Sequence, residues 1–355
     1  MVYAEFKADG HRITKELYRY VETLLEIHLT LKKVAEITGL NKNTVKAIDN
    51  KRLEDKYTYF DGKNRRIKKP DGQANFLSID EFKLHKGQRY ATHIIDLETG
   101  HILWLAYGKK KQVVYDFIDH VGMEWMKGVK AVSCDMNSDF QLAFKERCPH
   151  LRIVFDHFHL VKNFNDYVVT NVRKDEQKKL IESGDIDGAR LLKKSKYILT
   201  SSRKTLERKD NEAIEGKAIE KGNELFGKEE IKRKFGYIER YKELLKLNKL
   251  FFTIDVIKEK ISLSYGYKNE DEMRSEIESI IKICDDTGNR HFKRFSNLLR
   301  NHIDGIIAHA TYKLTSGKIE GINNKIKTLR RQGYGYPDDR YFFLKLFDLS
   351  RSPRG

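Results

Sequence analysis

The feature that most restricts the fold is a change of texture after residue 75. Three short β-rich runs follow one another: FLSIDEF (76–82), YATHIIDL (90–97) and HILWLAYG (101–108). The last two are joined by Glu98-Thr99-Gly100, a short glycine-containing loop that predicts a hairpin. A helix-like stretch (113–127) comes next, then a buried-looking strand VKAVSCDM (129–136), a helix around QLAFKERC, and a second strand LRIVFDHF (151–158). Three meandering strands followed by alternating helices and strands predict an α/β fold, a mixed sheet with helices packed on it.

The flanks read differently. Residues 11–50 carry apolar positions at helical spacing. From Asp55 to Gln73 the chain turns polar and basic, with Gly62, Pro70 and Gly72 as breakers, which predicts a linker or arm. Residues 165–300 are highly charged, almost free of strand signals and without a proline, so an all-helical insertion is expected there. The resulting division is a helical domain (1–54), a basic linker (55–75), the first part of the sheet domain (76–164), the insertion (165–300) and the last part of the sheet domain (301–355). A chain of 355 residues can supply a core to two or three such domains.

Lys and Arg outnumber Asp and Glu by 69 to 52, a formal net charge of +17. Such an excess draws a protein to polyanions: nucleic acid first, an acidic membrane surface second, or it serves solubility alone. Cys134, Cys148 and Cys284 lie far apart and form no C-x-x-C pair, which argues against a disulfide framework or a four-cysteine zinc site. The N-terminus has no apolar signal-peptide core, and no apolar run approaches the roughly eighteen residues of a membrane span. A cytoplasmic protein with no membrane partner is the expectation.

LKKVAEITGLNKNTVKAI (31–48) has the spacing of a helix-turn-helix. Ala35 is the small residue at the helix crossing, and Gly39 fits a turn that needs positive φ. Val34, Leu40, Val45 and Ile48 fill the core, and Asn41 is placed to cap the second helix. That leaves Lys42, Asn43, Thr44 and Lys46 to face a DNA major groove, with Arg65, Arg66, Lys68 and Lys69 of the basic arm as further contacts. An αα-hairpin packed on another element is the bland alternative.

Carboxylates supply the catalytic signal. Asp80 ends FLSID and Asp135 ends VKAVSCD. If those strands are adjacent and parallel, both carboxylates stand at one sheet edge, where they repel unless a hard cation sits between them. A third acid can come from TSGKIEGINNKIKTLRR (315–331), where Ile319, Ile322, Ile326 and Leu329 form a buried helical stripe and Glu320, Asn323, Asn324 and Lys327 a neighbouring polar face. Thr315 or Ser316 would cap that helix. Taken singly, each acid is better explained as a turn former or a solvated surface group.

Together these residues are more specific. The stretches IDEFKLHKGQRYATHIIDLETGHIL, SCDMNSDFQLAFKERCPHLRIVFDHFHLVKNFN and LTSGKIEGINNKIKTLRRQGYGYPDDRYFFLKLF, in this order and spacing, resemble transposases of the ISL-three insertion-sequence family. The resemblance covers nearly the whole chain. It implies an RNase H-like catalytic sheet interrupted by the helical insertion before the last acidic helix. It also implies a DDE triad at Asp80, Asp135 and Glu320, binding two Mg²⁺ (or Mn²⁺) ions for cleavage and strand transfer of double-stranded transposon-end and target DNA by in-line phosphoryl transfer. Asp156 and His159 in FDHFHLVKN match a family motif. They are expected to support the site or position DNA, with Lys162, Asn324 and Lys327, and with Lys83 and Asn163 as further phosphate contacts; Asp156 is the rival for the second metal position. Bringing two DNA ends together implies a homodimer or larger assembly on DNA. Many members begin with a Cys/His cluster, and none precedes the helix-turn-helix here, which leaves part of the end recognition open.

Three other readings stand beside this one. The first is a DNA-binding protein with an inactive nuclease on the same fold. The second is a tyrosine recombinase using His291-Phe-Lys-Arg294 with Tyr312, Tyr334 or Tyr336. The third is a structural nucleic-acid-binding protein acting through basic insertion positions such as Lys193, Lys194, Lys196, Arg203 and Lys204.

Overall fold

The computed structural model describes residues 7–10, 12–85, 87, 89–136, 138–223, 227–232, 234–315, 317–333 and 336–351. The chain divides into two compact units, Met1–Arg152 with Ser316–Gly355, and Ile153–Thr315.

The first unit begins with three helices, α1 (Lys15–Glu26), α2 (Leu31–Thr38) and α3 (Lys42–Tyr57). Each start is fixed by a side chain that accepts a backbone N–H otherwise left unpaired: Thr14 from Leu17, Thr30 from Lys33 and Asn41 from Asn43. Gly39 ends α2 at φ +69°, the left-handed conformation its position in the sequence predicted. Val21, Leu24, Leu25, Val34, Val45 and Ile48 form the core, with Ala35 and Leu40 packed on it.

The expected linker is ordered instead. α3 continues to Tyr57, and Thr58–Asp61 (β1) pairs antiparallel with Asn64–Ile67 (β2) around Gly62 and Lys63. Alternating Tyr59, Arg66 and Arg65 positions have strand chemistry that the basic composition obscured.

The sheet comprises β3 (Phe76–Lys83), β4 (Tyr90–Asp96), β5 (Ile102–Tyr107), β6 (Ala131–Cys134) and β7 (Arg152–Phe155) in the order β5-β4-β3-β6-β7. β3, β4 and β5 run antiparallel, and β3 pairs parallel with β6. The predicted hairpin lies between β4 and β5: the Gly100 N–H reaches the Asp96 carbonyl at 2.8 Å, and the Glu98 N–H reaches the Asp96 side chain at 2.8 Å. Between β5 and β6 come α4 (Lys111–Val121) and α5 (Met123–Lys127), separated at Gly122 with φ +93°; α6 (Ser138–Arg147) follows β6. Two strand expectations change. β3 runs past Asp80 to Lys83, and the 151–158 strand stops at Phe155 because Asp156 caps a helix.

The second unit is mainly helical: α7 (His157–Asn163), a π-helical segment Phe164–Val169, α8 (Thr170–Glu182), α9 (Ile186–Leu192), α10 (Lys196–Thr200), α11 (Arg203–Ile214), α12 (Tyr237–Leu247), α13 (Lys249–Ser264), α14 (Glu270–Asp286) and α15 (Arg290–Tyr312). A hairpin, β8 (Ala218–Asn223) with β9 (Gly227–Lys232), interrupts the series, so the segment is not all-helical. α15 also runs across residue 300, where a domain boundary was expected, because its apolar face stays continuous through Phe292, Phe295, Leu299 and Ile306. Gly305 sits against the Phe155 ring, where a Cβ would come within 2.4 Å.

The chain then returns to the first unit as α16 (Gly317–Gln332) and α17 (Asp339–Ser350). α17 packs on β5, where the Ile102 N–H donates to the Ser350 hydroxyl at 3.0 Å, and on α3. Its contact with α3 is a buried ionic cluster. Arg52 bonds Asp49 and Asp348, each at 2.9 Å; Lys56 and Tyr57 also bond Asp348, and Tyr341 and Lys345 bond Asp49. The three-helix domain is thereby fastened to the helix that lies along the sheet edge.

Candidate functional site

The sheet register builds the site. Parallel pairing of β3 with β6 ends at Ile79↔Cys134, so Asp80 and Asp135 are the next residues on two neighbouring strands, about 4.8 Å apart in the pairing direction. The conditional stated from the sequence, adjacent and parallel strands, is met. Its detail differs: β3 continues with β4 beyond Asp80, and only the ladder to β6 stops there.

Both carboxylates are half-buried and held in place. Asp80 Oδ1 accepts its neighbour Glu81 N–H at 2.8 Å, and Asp135 Oδ1 accepts Met136 N–H at 2.6 Å. Asp80 Oδ2 accepts the Asn323 side-chain amide at 2.7 Å, which fixes α16 against the end of the β3–β6 ladder. Opposite Asp80 on β4 is His93, fully buried; burial lowers its pKa to about 4, with Asp80 acting in the other direction. The imidazole is therefore neutral at pH 7.

Glu320 lies one helical turn before Asn323 on the same side of α16, while Ile319, Ile322 and Ile326 are buried beneath them. Its side chain is exposed. Among the described residues no group of three or more His, Cys, Asp or Glu side chains is close enough to hold a metal ion. The α16 residue that reaches Asp80 is Asn323, which lay on the predicted polar face without being singled out. Asn324 is exposed about 100° further round the helix, and Lys327 is exposed one turn beyond Asn323. Arg330 donates to the Lys83 carbonyl.

The remaining predicted positions are distributed as follows. In the second unit, Asp156 is buried and caps α7 through the Phe158 N–H at 2.6 Å. His157 packs edge-on against Tyr265, whose hydroxyl donates to the Phe155 carbonyl. His159 and Asn163 are half-buried and Lys162 is exposed on α7. Arg203 pairs with Asp255 and Lys196 with Asp166, while Lys193, Lys194 and Lys204 are exposed. His291 bonds Asp175 at 2.9 Å and Arg294 lies over the Tyr167 ring, so both signature positions of the recombinase reading have structural partners. Ser316 and Tyr334 lie outside the described residues.

On the DNA-facing candidates, Lys42 and Asn43 are exposed and Thr44 is half-buried, while Lys46 pairs with Asp338 at 3.9 Å. Arg65 pairs with Glu54, Arg66 with Asp61, and Lys68 donates to the Asp55 carbonyl; Lys69 is exposed. Among the described residues no helix is long and apolar enough to cross a membrane.

Residues 77–346 match the profile of a family described as transposase, and residues 4–53 match the helix-turn-helix domain of transposase family ISL3. Over 336 residues the chain is 28% identical to the transposase for insertion sequence element IS1001 of Bordetella parapertussis, covering 94% of this chain and 73% of that protein. A shorter stretch of 96 residues is 32% identical to the transposase for insertion sequence element IS1557 of Mycobacterium tuberculosis, covering 26% of this chain and 22% of that one.

Proposed function

The chain belongs to the ISL3 family of transposases, and from that premise we propose that Asp80, Asp135 and Glu320 form its DNA-cutting centre. The observation that carries the reading is the Ile79↔Cys134 register, which sets two aspartates side by side where the β3–β6 ladder ends, with an amide from α16 already on one of them. The strand order β5-β4-β3-β6-β7, with β3 antiparallel to β4 and parallel to β6, supports an RNase H-like reading of the sheet, with the helical residues after β7 as an insertion ahead of α16.

The donor set suits a hard divalent ion. Among the described residues Asp80 accepts neutral donors, a backbone N–H and an amide, and forms no ion pair. Carboxylate oxygens in such a position select Mg²⁺ or Mn²⁺, and Asp80, Asp135 and Glu320 would hold the metal. Bound there, one or two ions would activate a water or a DNA 3′-hydroxyl and neutralise charge on the phosphate during in-line displacement. The chain's own part is positional. Backbone N–H groups aim one oxygen of each aspartate, and Asn323 orients the second oxygen of Asp80. Exposed Lys327 and Lys83 lie within the same unit to steady the DNA backbone. The helix-turn-helix binds DNA, and two copies of the chain would bring two transposon ends together.

The test is cleavage of a labelled duplex carrying the element's own ends, with Mg²⁺ or Mn²⁺, by wild type and by Asp80→Ala, Asp135→Ala, Glu320→Ala and Asp156→Ala. Cutting that requires metal, leaves a free 3′-hydroxyl and falls on the order of 10³-fold or more in the first three variants is expected. Cutting that survives Asp135→Ala but not Asp156→Ala would move the second ligand to Asp156. A well-folded wild type that binds the ends tightly and never cuts would overturn the catalytic reading.

A further inference from the structure

Helix α3 carries its functional face in a place the helix-turn-helix spacing alone does not give. Two flanks of the helix are occupied. Val45 and Ile48 enter the three-helix core, while Asp49, Arg52 and Tyr57 enter the ionic cluster with α17. With about 100° per residue, these buried positions and Leu53 cover about half the circumference. Lys46 is turned to the same side: it pairs with Asp338 and lies 5.2 Å from the Tyr341 ring. Lys42 and Lys46 line a cleft of about 390 Å³ together with Tyr336, Asp338 and Lys345, and Asn43 stands on it too.

The arc that remains holds Asn43, Thr44, Ala47, Asn50 and Lys51, with Glu54 and Asp55 at its C-terminal end. Asn43, Ala47 and Lys51 are exposed and Asn50 is half-buried. Asn43, Ala47 and Asn50 are spaced four and three apart, so they form one line along the helix. Glu54 continues that line but is tied down by Arg65 at 3.2 Å and Arg340 at 2.9 Å, which ends the open stretch. Neither asparagine side chain makes a hydrogen bond within the described residues, whereas Asp49, Arg52 and Tyr57 on the inner flank all do.

We propose that Asn43, Ala47 and Asn50, flanked by Lys51, are the base-reading line of this protein, and that they select A·T pairs in the transposon end. The inference rests on the reading of the chain as a DNA-end-binding transposase and adds its specificity. An asparagine amide offers a donor and an acceptor side by side, the complement of adenine N6 and N7 in the major groove. The Ala47 methyl between the two amides matches a thymine C5-methyl, and Lys51 reaches the adjoining phosphate. Lys46, paired with Asp338, and Lys42 on the same flank contribute charge without base discrimination.

The experiment uses the full chain and labelled end duplexes carrying every single base-pair substitution, with Kd measured by mobility shift at fixed salt. Asn50→Ala is expected to erase discrimination at one A·T pair, a preference of about 5- to 150-fold in wild type, and leave the other positions intact. Replacing the neighbouring thymine by deoxyuridine should weaken wild type and leave Ala47→Gly unaffected. Lys46→Ala should shift Kd by one common factor on all duplexes. The proposal is overturned if Asn50→Ala keeps every base preference, or if Lys46→Ala removes one. A wild type that does not separate end duplex from random duplex sinks the end-binding reading itself, and this inference with it.

Discussion

Two pairs of aspartates in the same structural unit behave in opposite ways. Asp49 and Asp348 are buried, with 0% and 4% exposure, and protein groups neutralise them: Arg52 between them, Lys345 and Tyr341 on one, Lys56 and Tyr57 on the other. Asp80 is half-buried, and its partners are the Glu81 N–H and the Asn323 amide, which carry no charge. Asp135 stands beside it at the same level of the sheet. A buried carboxylate must have its charge balanced. Where the chain supplies the cations, the cluster fastens two elements together. At Asp80 the described donors are neutral, so on the proposed reading a divalent ion from outside balances the charge and the site can do chemistry.

The comparison breaks if the two pairs respond alike to truncation. Asp348→Ala leaves the buried Arg52 with Asp49 alone and takes the acceptor from Lys56 and Tyr57, and is expected to cost about 3–5 kcal/mol of stability, read from urea unfolding. Asp80→Ala removes one of two neighbouring like charges and strands no cation, so its stability should stay within about 1 kcal/mol of wild type or rise. A large loss in both variants, or in neither, would show that counter-charge does not separate the two pairs.

Acid sharpens the same contrast. Burial raises the Asp348 pKa, but the Arg52 hydrogen bond and charge, followed by Tyr57 and Lys56, outweigh it and hold the carboxyl below its usual range. The folded-state value lies below the unfolded one of about 3.9. The stabilisation is therefore fully present above about pH 4 and is lost as pH falls through the folded value. Between pH 7 and pH 3, Asp348→Asn should start less stable than wild type and lose less. Parallel curves would remove Asp348 as a source of acid sensitivity.

How far the sequence revealed these clusters follows from how local their causes are. The helix-turn-helix was legible because Gly39 and Asn41 act within a few residues: one adopts φ +69°, the other caps its own helix. The β4–β5 hairpin was legible for the same reason. Asp80 and Asp135 could be proposed because each follows an apolar run, but their adjacency depended on a long-range parallel register. In the Asp49–Arg52–Asp348 cluster Arg52 and Asp348 are 296 positions apart in sequence, and nothing near Asp348 announces a partner in α3. Arg65 and Arg66 hid a hairpin behind a basic composition. Asp156 was read as the continuation of a strand because its role as a helix cap depends on where β7 stops.

Asn323 tests the open pair most finely. It was visible in sequence as one of several polar residues beside a buried stripe, and only the fold shows that its amide reaches Asp80 Oδ2 at 2.7 Å. If Asp80 is a metal ligand, this amide orients it in the way outer partners orient ligands at metal sites, and removing it costs about 10- to 100-fold in metal affinity or activity. Asn323→Ala should therefore raise the Mg²⁺ concentration needed for half-maximal cutting, while Kd for the end duplex and the unfolding midpoint stay close to wild type. Asn323→Asp offers the discriminating case. It puts a third carboxylate beside Asp80, so repulsion should weaken the fold without metal, and added Mn²⁺ should restore it. If Asn323→Ala instead lowers stability as much as Asp348→Ala and leaves the metal requirement unchanged, the amide is a packing clasp for α16, and the argument that Asp80 is held ready for an ion loses its geometric support.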